Sequence, residues 1–249
     1  MTEQELLKAH IRDLDRQAFE RDITKSTGFL SLSEQAVFYE TRDSLFRLPV
    51  LAGGYDDADR RMLIWPAAYD ENAVNDRIAL LRIVPLNAKF SEALTHRDFL
   101  GALMNLGIER DRLGDILIAE NEGYVFCTQE MAAFITENLR SVKHTPVCCT
   151  VCEGNRPELR PRLEEMRINV ASERMDALIA AVFRLSRSEA AEKIMTGSVF
   201  ADGRLIDSNS YKLKEGVRVS VRGFGKFIYD GIGNETRKGR LYVRIRLYL

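Results

Sequence analysis

Apolar positions recur along this chain with two periods, and each period predicts a different element. Leu6, Leu7, Ile11, Leu14 and Phe19 fall on one face of an opening helix, and a second helix is expected from about Ser33. Residues 1–72 therefore read as a mostly helical N-terminal region, with a loop at Gly53, Gly54 and Tyr55. Across residues 73–153 the pattern changes. IALLRIV (78–84), DILIA (115–119), YVFCT (124–128) and TPVCCTV (145–151) read as strands, and helices are expected near 95–106 and 129–140. This βαββαβ order predicts a ferredoxin-like, RNA-recognition-motif-like α/β domain. DILIA and IALLRIV carry no rings on which bases could stack, so this domain reads as a scaffold before it reads as an RNA platform. Residues 154–166, with Pro157 and Pro161 among charged side chains, interrupt every apolar period and are expected to be a linker.

From 167 to 249 the chain reads as two short helices followed by β hairpins. Ser172 can cap a helix whose Met175, Leu178, Ile179 and Val182 form an apolar stripe. Ser186 and Glu189 have the spacing of a capping box, so a second helix starts at Arg187, buries Ala190, Ala191, Ile194 and Met195, and stops at Gly197. Asp202-Gly203 is a favoured pair for a tight hairpin turn. Val217, Val219 and Val221 alternate with Arg218, Ser220 and Arg222. At the C-terminus Leu241, Val243, Ile245 and Leu247 alternate with Arg240, Tyr242, Arg244, Arg246 and Tyr248, so one face is apolar and the other interleaves guanidiniums with rings. The predicted class is α+β.

Composition adds a location and charge adds a partner. A hydrophobic content of 45% and a charged content of 29% describe an ordinary globular chain. No apolar run approaches the roughly 20 residues of a membrane span, and the charged N-terminus is unlike a signal peptide, so no membrane is expected and the location is expected to be cytoplasmic. The four cysteines then read as reduced thiols. Cys149 and Cys152 have metal-ligand spacing but no second pair, and on a strand they would point to opposite faces, so no metal is expected. The net charge of −1 hides an asymmetry: residues 1–166 hold 20 lysines and arginines against 28 acids, and residues 167–249 hold 16 against 9. A concentrated basic region is the footprint of a polyanion partner. Charge on an edge strand also prevents aggregation, but interleaved tyrosine does not serve that end, and arginine both forks onto phosphate and stacks on bases.

The order of these features resembles the S4 RNA-binding domain. The residues that carry the likeness are Arg174-Met-Asp176, Leu178, Ser186-Arg187, Ala190, Ile194, Gly197, Val199, Gly203 and Val219-Ser-Val-Arg-Gly223. Asp202 and Val217 depart from the family, which commonly has Asn and Asp there. The resemblance implies RNA contacts at Arg174, Ser186, Arg187, Lys193 and Arg222, and the basic face spanning 174–246 adds Arg218, Lys226, Arg240, Tyr242, Arg244 and Arg246. GGYDDADRR (53–61), HRDFLGALMNLGIERDRLGDI (96–116) and RGFGKFIYDGIGNETRKGRLYVRIR (222–246) resemble the YlmH-type proteins, which carry S4 at the C-terminus. That wider likeness implies association with the large ribosomal subunit, together with tRNA, in translation quality control; the chain is expected to be a non-catalytic monomer that docks on structured ribosomal RNA. No cofactor is expected.

The alternative is an RNA-modifying enzyme of the pseudouridine-synthase type that uses S4 for targeting. GRLID (203–207) resembles the catalytic aspartate motif of those enzymes only faintly, since Ile206 spoils the spacing and the segment lies inside the S4-like region. His96-Arg97-Asp98 looks like the start of a kinase catalytic loop, but Leu103 stands where asparagine is needed. Asp98 is expected instead to cap a helix beginning at Phe99.

Overall fold

The computed structural model describes residues 2–87, 89, 91–119, 121–152, 163–235 and 239–248. The chain is α+β and divides into two compact units, Met1–Leu159 and Arg160–Leu249.

The first unit opens with α1 (Glu3–Arg21), closed at its start by a Thr2–Glu5 capping box. Ile11, Leu14, Asp15 and Ala18 are its buried face; Phe19, expected inside, is exposed and stacks on Phe46. The Asp15 carboxylate accepts the Phe46 and Arg47 amides, at 2.7 and 3.1 Å. After β1 (Lys25–Ser26) and α2 (Leu32–Thr41), strands β2 (Val50–Ala52) and β3 (Met62–Trp65) complete an antiparallel sheet of order β1-β3-β2. This region is therefore helix plus sheet. Met62-Leu63-Ile64-Trp65 is buried on both faces and shows no alternation, so a period-2 reading passes over it.

Next come β4 (Ile78–Pro85), α3 (His96–Asn105), β5 (Leu113–Ala119), β6 (Glu122–Thr128), α4 (Gln129–Asn138), β7 (Ser141–Val142) and β8 (Thr145–Val151). Their antiparallel sheet has the order β5-β6-β4-β8-β7, and its four long strands are arranged as in ferredoxin-like domains. α3 and α4 pack on one face, where Leu81, Ile83, Val125 and Val147 meet Phe99, Leu103 and Ile135. Thr95, not Asp98, is the N-cap of α3: Asp98 lies in the first turn, and its carboxylate accepts the Thr95 amide and hydroxyl at 2.8 and 2.6 Å. Those two bonds hold the Asp98 carboxyl down at about 2.

The opposite face of this sheet is covered by the first 70 or so residues. Ile78, Leu80, Tyr124 and Phe126 are buried against Phe29, Met62 and Ile64, and Tyr55 stacks on Phe126 with centroids 5.2 Å apart. A Cβ on Gly54 would lie 2.2 Å from that Phe126 ring, and φ there is +93°, so only glycine fits. The rest of the 53–61 loop is tied to β5: the Tyr55 hydroxyl and the amides of Asp59 and Arg60 all donate to Asp115. The Arg60 guanidinium donates to the carbonyls of Leu113, Phe29 and Arg110. Burial pushes Arg60 and Arg110 down, Arg110 to about 10.

Cys149 belongs to the helix-covered core and Cys152 packs against the opposite one, so the CxxC pair does diverge across the sheet. Burial lifts the Cys127 thiol to about 12 and Cys149 to about 11, far from the thiolate form that reacts. Brief alkylation of the native protein at pH 7.5 should therefore label exposed Cys148 and spare Cys127 and Cys149 in peptide mass spectra. Equal labelling of all three would show that this core opens readily.

The second unit contains β9 (Leu163–Val170), α5 (Met175–Phe183), α6 (Arg187–Met195), β10 (Val199–Ala201), β11 (Arg204–Leu205), β12 (Arg218–Val221), β13 (Gly225–Glu235) and β14 (Leu241–Tyr248). One antiparallel sheet, of order β11-β10-β12-β13-β14-β9, takes all six strands. Residues 163–166 of the expected linker are the start of β9, and the rest of that segment lies outside the described residues. Arg174, not Ser172, occupies the N-cap of α5, and Met195 is 77% exposed where burial was expected. The Ser186–Glu189 capping box forms, and Gly197 takes φ +67°. Asp202 and Gly203 are both left-handed at φ 46° and 80°, as a tight hairpin turn requires.

Candidate nucleic-acid interface

Strand register sorts the basic residues of the second unit onto two sides of its sheet. Val219, Val221, Phe227, Tyr229, Val243 and Ile245 point inward, into a core shared with Met175, Leu178, Ile179, Val182, Ala190 and Ile194 of α5 and α6. The alternate positions face outward. On that side Tyr242, Arg244 and Arg246 of β14 lie beside Asn169, Arg167 and Glu165 of β9. Arg246 is also opposite Ile228 of β13, which places Lys226 and Asp230 on the same face, and Arg218 of β12 is opposite Ile228 from the other side. The sheet thus brings Arg218, Tyr242, Arg244 and Arg246 together, as the alternation predicted, with Lys226 beside them. Arg222, which the same alternation put on the face of Arg218, lies beyond the end of β12 in the following turn.

The helix side holds Arg174, Ser186, Arg187 and Lys193, so the expected contacts do not form one continuous surface: the thickness of the core separates the two groups. Arg222 sits in the exposed turn between β12 and β13, where its amide donates to the Ser198 carbonyl at 2.8 Å, just past the end of α6. Phe224 of that turn packs against Phe183, and the Lys193 ammonium lies 5.4 Å from the Phe224 ring centroid. Arg222 and Lys193 therefore belong to the same side.

At the other end of α6, two guanidiniums share one carboxylate. Arg174 donates to both oxygens of Asp176 at 3.1 and 3.3 Å, and Arg187 donates twice to its Oδ2 at 3.2 and 2.8 Å. The Asp176 side chain is 6% exposed, whereas Arg174 and Arg187 are 46% and 51% exposed. Burial pushes the Asp176 carboxyl up, but the bonds from Arg174 and Arg187 outweigh it and hold it below the usual carboxylate range. The motif Arg174-x-Asp176 with Arg187 is therefore a clamp: a hidden anion fixes two exposed forks, and the cluster keeps one net positive charge. Ser186 spends its hydroxyl on the Glu189 amide, so its contribution is to start α6 at this point.

Carboxylates also moderate the outer face. Asp230 accepts two bonds from Arg246 at 2.8 and 2.9 Å, and these hold the Arg246 guanidinium firmly in its charged form. Arg244 donates to the Asp230 carbonyl, Arg240 donates to the Asn169 carbonyl, and Lys226 lies 5.0 Å from the Tyr248 ring centroid. Sequence reasoning missed Arg167, which stands directly opposite Arg244 with both side chains exposed. Like charges in register cost stability, and a bound polyanion removes that cost. The signal was the alternation within LEEMRINV, hidden by its charges.

In the first unit a cavity of about 690 Å³ is lined by His10, Asp70, Asp76, Arg77, Asp111, Arg112 and Glu130 among others. Two of its acids are engaged locally: Asp70 accepts the Thr24 hydroxyl at 2.5 Å and Glu130 pairs with Arg112 at 3.3 Å. Among the described residues no cluster of acids, histidines and cysteines could hold a metal.

Comparison with known proteins locates the chain. Residues 75–155 match the model of the domain described as "Putative RNA-binding domain in YlmH". Over 220 residues the chain is 26% identical to the "Ribosome-associated protein quality control protein P2" of Bacillus subtilis (strain 168), covering 87% of this chain and 84% of that protein. Among solved structures, the "Cell division protein ylmH from Streptococcus pneumoniae" is similar over 61% of this chain and 92% of its own, with 22% identity and a TM-score of 0.48.

Proposed function

Taking the chain as YlmH-type, we propose that it is a non-catalytic, ribosome-associated RNA-binding protein whose C-terminal unit is an S4-type module that docks on folded RNA. The docking site is ribosomal RNA of the large subunit, with tRNA alongside, and the role is translation quality control. The observation that carries this reading is the Arg174–Asp176–Arg187 clamp. A single carboxylate placed below two guanidiniums freezes two long side chains before any ligand arrives, so less conformational entropy is lost on binding. Each guanidinium binds Asp176 through Nε and Nη2, which leaves its Nη1 side to donate to phosphate oxygens. Because Arg187 and Lys193 lie in the first and last turns of α6, they are separated by about 9 Å along its axis, and Arg222 extends the helix side. The outer face of β14 supplies a second, separate contact for a partner large enough to reach round the sheet.

The relative's name supports ribosome association, and the matched domain's description supports RNA binding. The test is to neutralise rather than reverse charge, since an acid at position 187 would face Asp176. Arg187→Gln with Arg222→Gln should move the chain from ribosomal to soluble fractions at physiological salt. Its melting temperature should fall by several degrees, since the buried Asp176 then keeps only Arg174, whereas Arg222→Gln alone should weaken retention with the melting temperature held within a few degrees. Unchanged co-sedimentation would remove both residues from the interface.

A further inference from the structure

The middle domain presents a contradiction. Small four-stranded α/β domains that read RNA do so by stacking bases on the open face of the sheet. Here that face is closed: Leu80 and Phe126 are 1% exposed and Tyr124 is 8% exposed, beneath Phe29, Met62 and Ile64. The Arg82 side chain on the same face is already forked onto Glu122 at 2.6 and 2.7 Å. If this domain touches RNA, it does so elsewhere.

The helix side offers one place. A groove between α3 and the α4–β7 connection is lined by Arg97, Asp98, Gly101, Asn105, Asn138, Arg140, Ser141 and Lys143 among others. Three cations therefore meet one carboxylate, inside a stretch of chain that is acidic overall. Asp98 is already engaged, by the Thr95 amide and hydroxyl and by Lys143 at 3.0 Å, and Glu92 lies 3.9 Å from Lys143 at the rim. Lys143 is thus held between two acids, which leaves Arg97 and Arg140 as the exposed cations without an ion pair among the described residues. Asn105, Asn138 and Ser141 add polar groups that can bond sugar and phosphate oxygens. The floor is open: a Cβ built on Gly101 meets nothing within 4 Å.

We infer that the groove between α3 and the α4–β7 connection binds the sugar-phosphate backbone of RNA through Arg97 and Arg140, on the helix side of a domain whose sheet face is sealed. This rests on reading the chain as an RNA binder. It adds a second RNA contact, in the other unit, that reads charge and shape rather than base identity.

Two variants of the full chain test it, with labelled deproteinised ribosomal RNA as the probe. Arg97→Glu with Arg140→Glu reverses the two cations. Gly101→Glu removes nothing and places a carboxylate on the open floor, where a helical position accepts it. Both should bind the RNA about tenfold more weakly at 100 mM salt with melting temperatures unchanged, and the double variant should lower the salt slope by roughly 1.5. Wild-type affinity and slope in both variants, while Arg187→Gln with Arg222→Gln weakens binding, would overturn the groove and leave the C-terminal reading standing. Failure of the wild-type chain to bind the RNA at all would bring down both. Intact binding to naked RNA with loss of ribosome retention would assign the groove to a protein partner, and that too would overturn the inference.

Discussion

Raising the salt from 50 to 200 mM should weaken binding of the full chain to ribosomal RNA by roughly two orders of magnitude. Each phosphate neutralised by a cation releases counterions, and about five such contacts give a slope of log K against log salt of roughly −3.5 to −4.5. The two-sided placement of the cations makes that slope diagnostic. Arg174, Arg187, Lys193 and Arg222 belong to the helix side, with Asp176 cancelling one charge; Arg167, Arg218, Lys226, Arg244 and Arg246 belong to the outer face, with Asp230 and Glu165 against them. A slope near −4 is what one side with a few supporting contacts delivers, whereas engagement of both sides should steepen it towards twice that value. A titration that is flat between 50 and 200 mM would end the electrostatic account, because no arrangement of these groups can bind a polyanion without displacing its counterions.

Replacing Asp176 by alanine should lower the stability of the C-terminal unit by about 2 kcal/mol, because hydrogen bonds to charged groups are lost and only the half-exposed arginines can be rehydrated. In a unit of this size that is a fall of roughly 10 °C in Tm. The carboxylate also accepts the Ala177 amide at 3.0 Å, so the first turn of α5 loosens with it. The effect on RNA binding separates two explanations. Coulomb attraction alone predicts tighter binding, since a negative charge has gone; pre-organisation predicts weaker binding, because both guanidiniums become free to wander. We expect the second. The sign of the acid response follows from the depressed Asp176 carboxyl: its contribution is complete above the unfolded carboxylate pKa of about 3.9 and is lost as pH falls through the lower folded value. Thermal melts between pH 3 and 7 should therefore show a steeper acid loss in the wild type than in Asp176→Asn. If the alanine variant melts with the wild type, Asp176 is not organising the clamp.

Local chemistry was legible from the chain because it is written within three or four residues. The Ser186–Glu189 box, the Asp202-Gly203 turn, the left-handed Gly197 and the alternation of β14 all depend on near neighbours, and all form as their residue types require. Errors arose where two local solutions competed. Thr95 and Asp98 can each cap α3, and the reciprocal box that uses both leaves Asp98 inside the helix. Phe19 and Ala18 both lie near the apolar stripe of α1, and stacking on Phe46 draws the ring outward.

What the sequence determined by itself was the order and type of most elements, the basic character of residues 167–249, and the strand faces that carry arginine and tyrosine. Periodicity and charge are properties of the chain alone, so no partner segment had to be known. The tertiary structure decided everything that depends on contacts between distant segments. It paired β9 with β14 and so set Arg167 opposite Arg244, it placed Arg174 and Arg187 on one buried carboxylate, and it put the core of a sheet between two sets of cations that look continuous in one dimension. It also laid Phe29, Met62 and Ile64 over the sheet face of the middle domain. Burial of apolar surface drives that covering, and because it is non-directional, no spacing along the chain announces which surface will meet which.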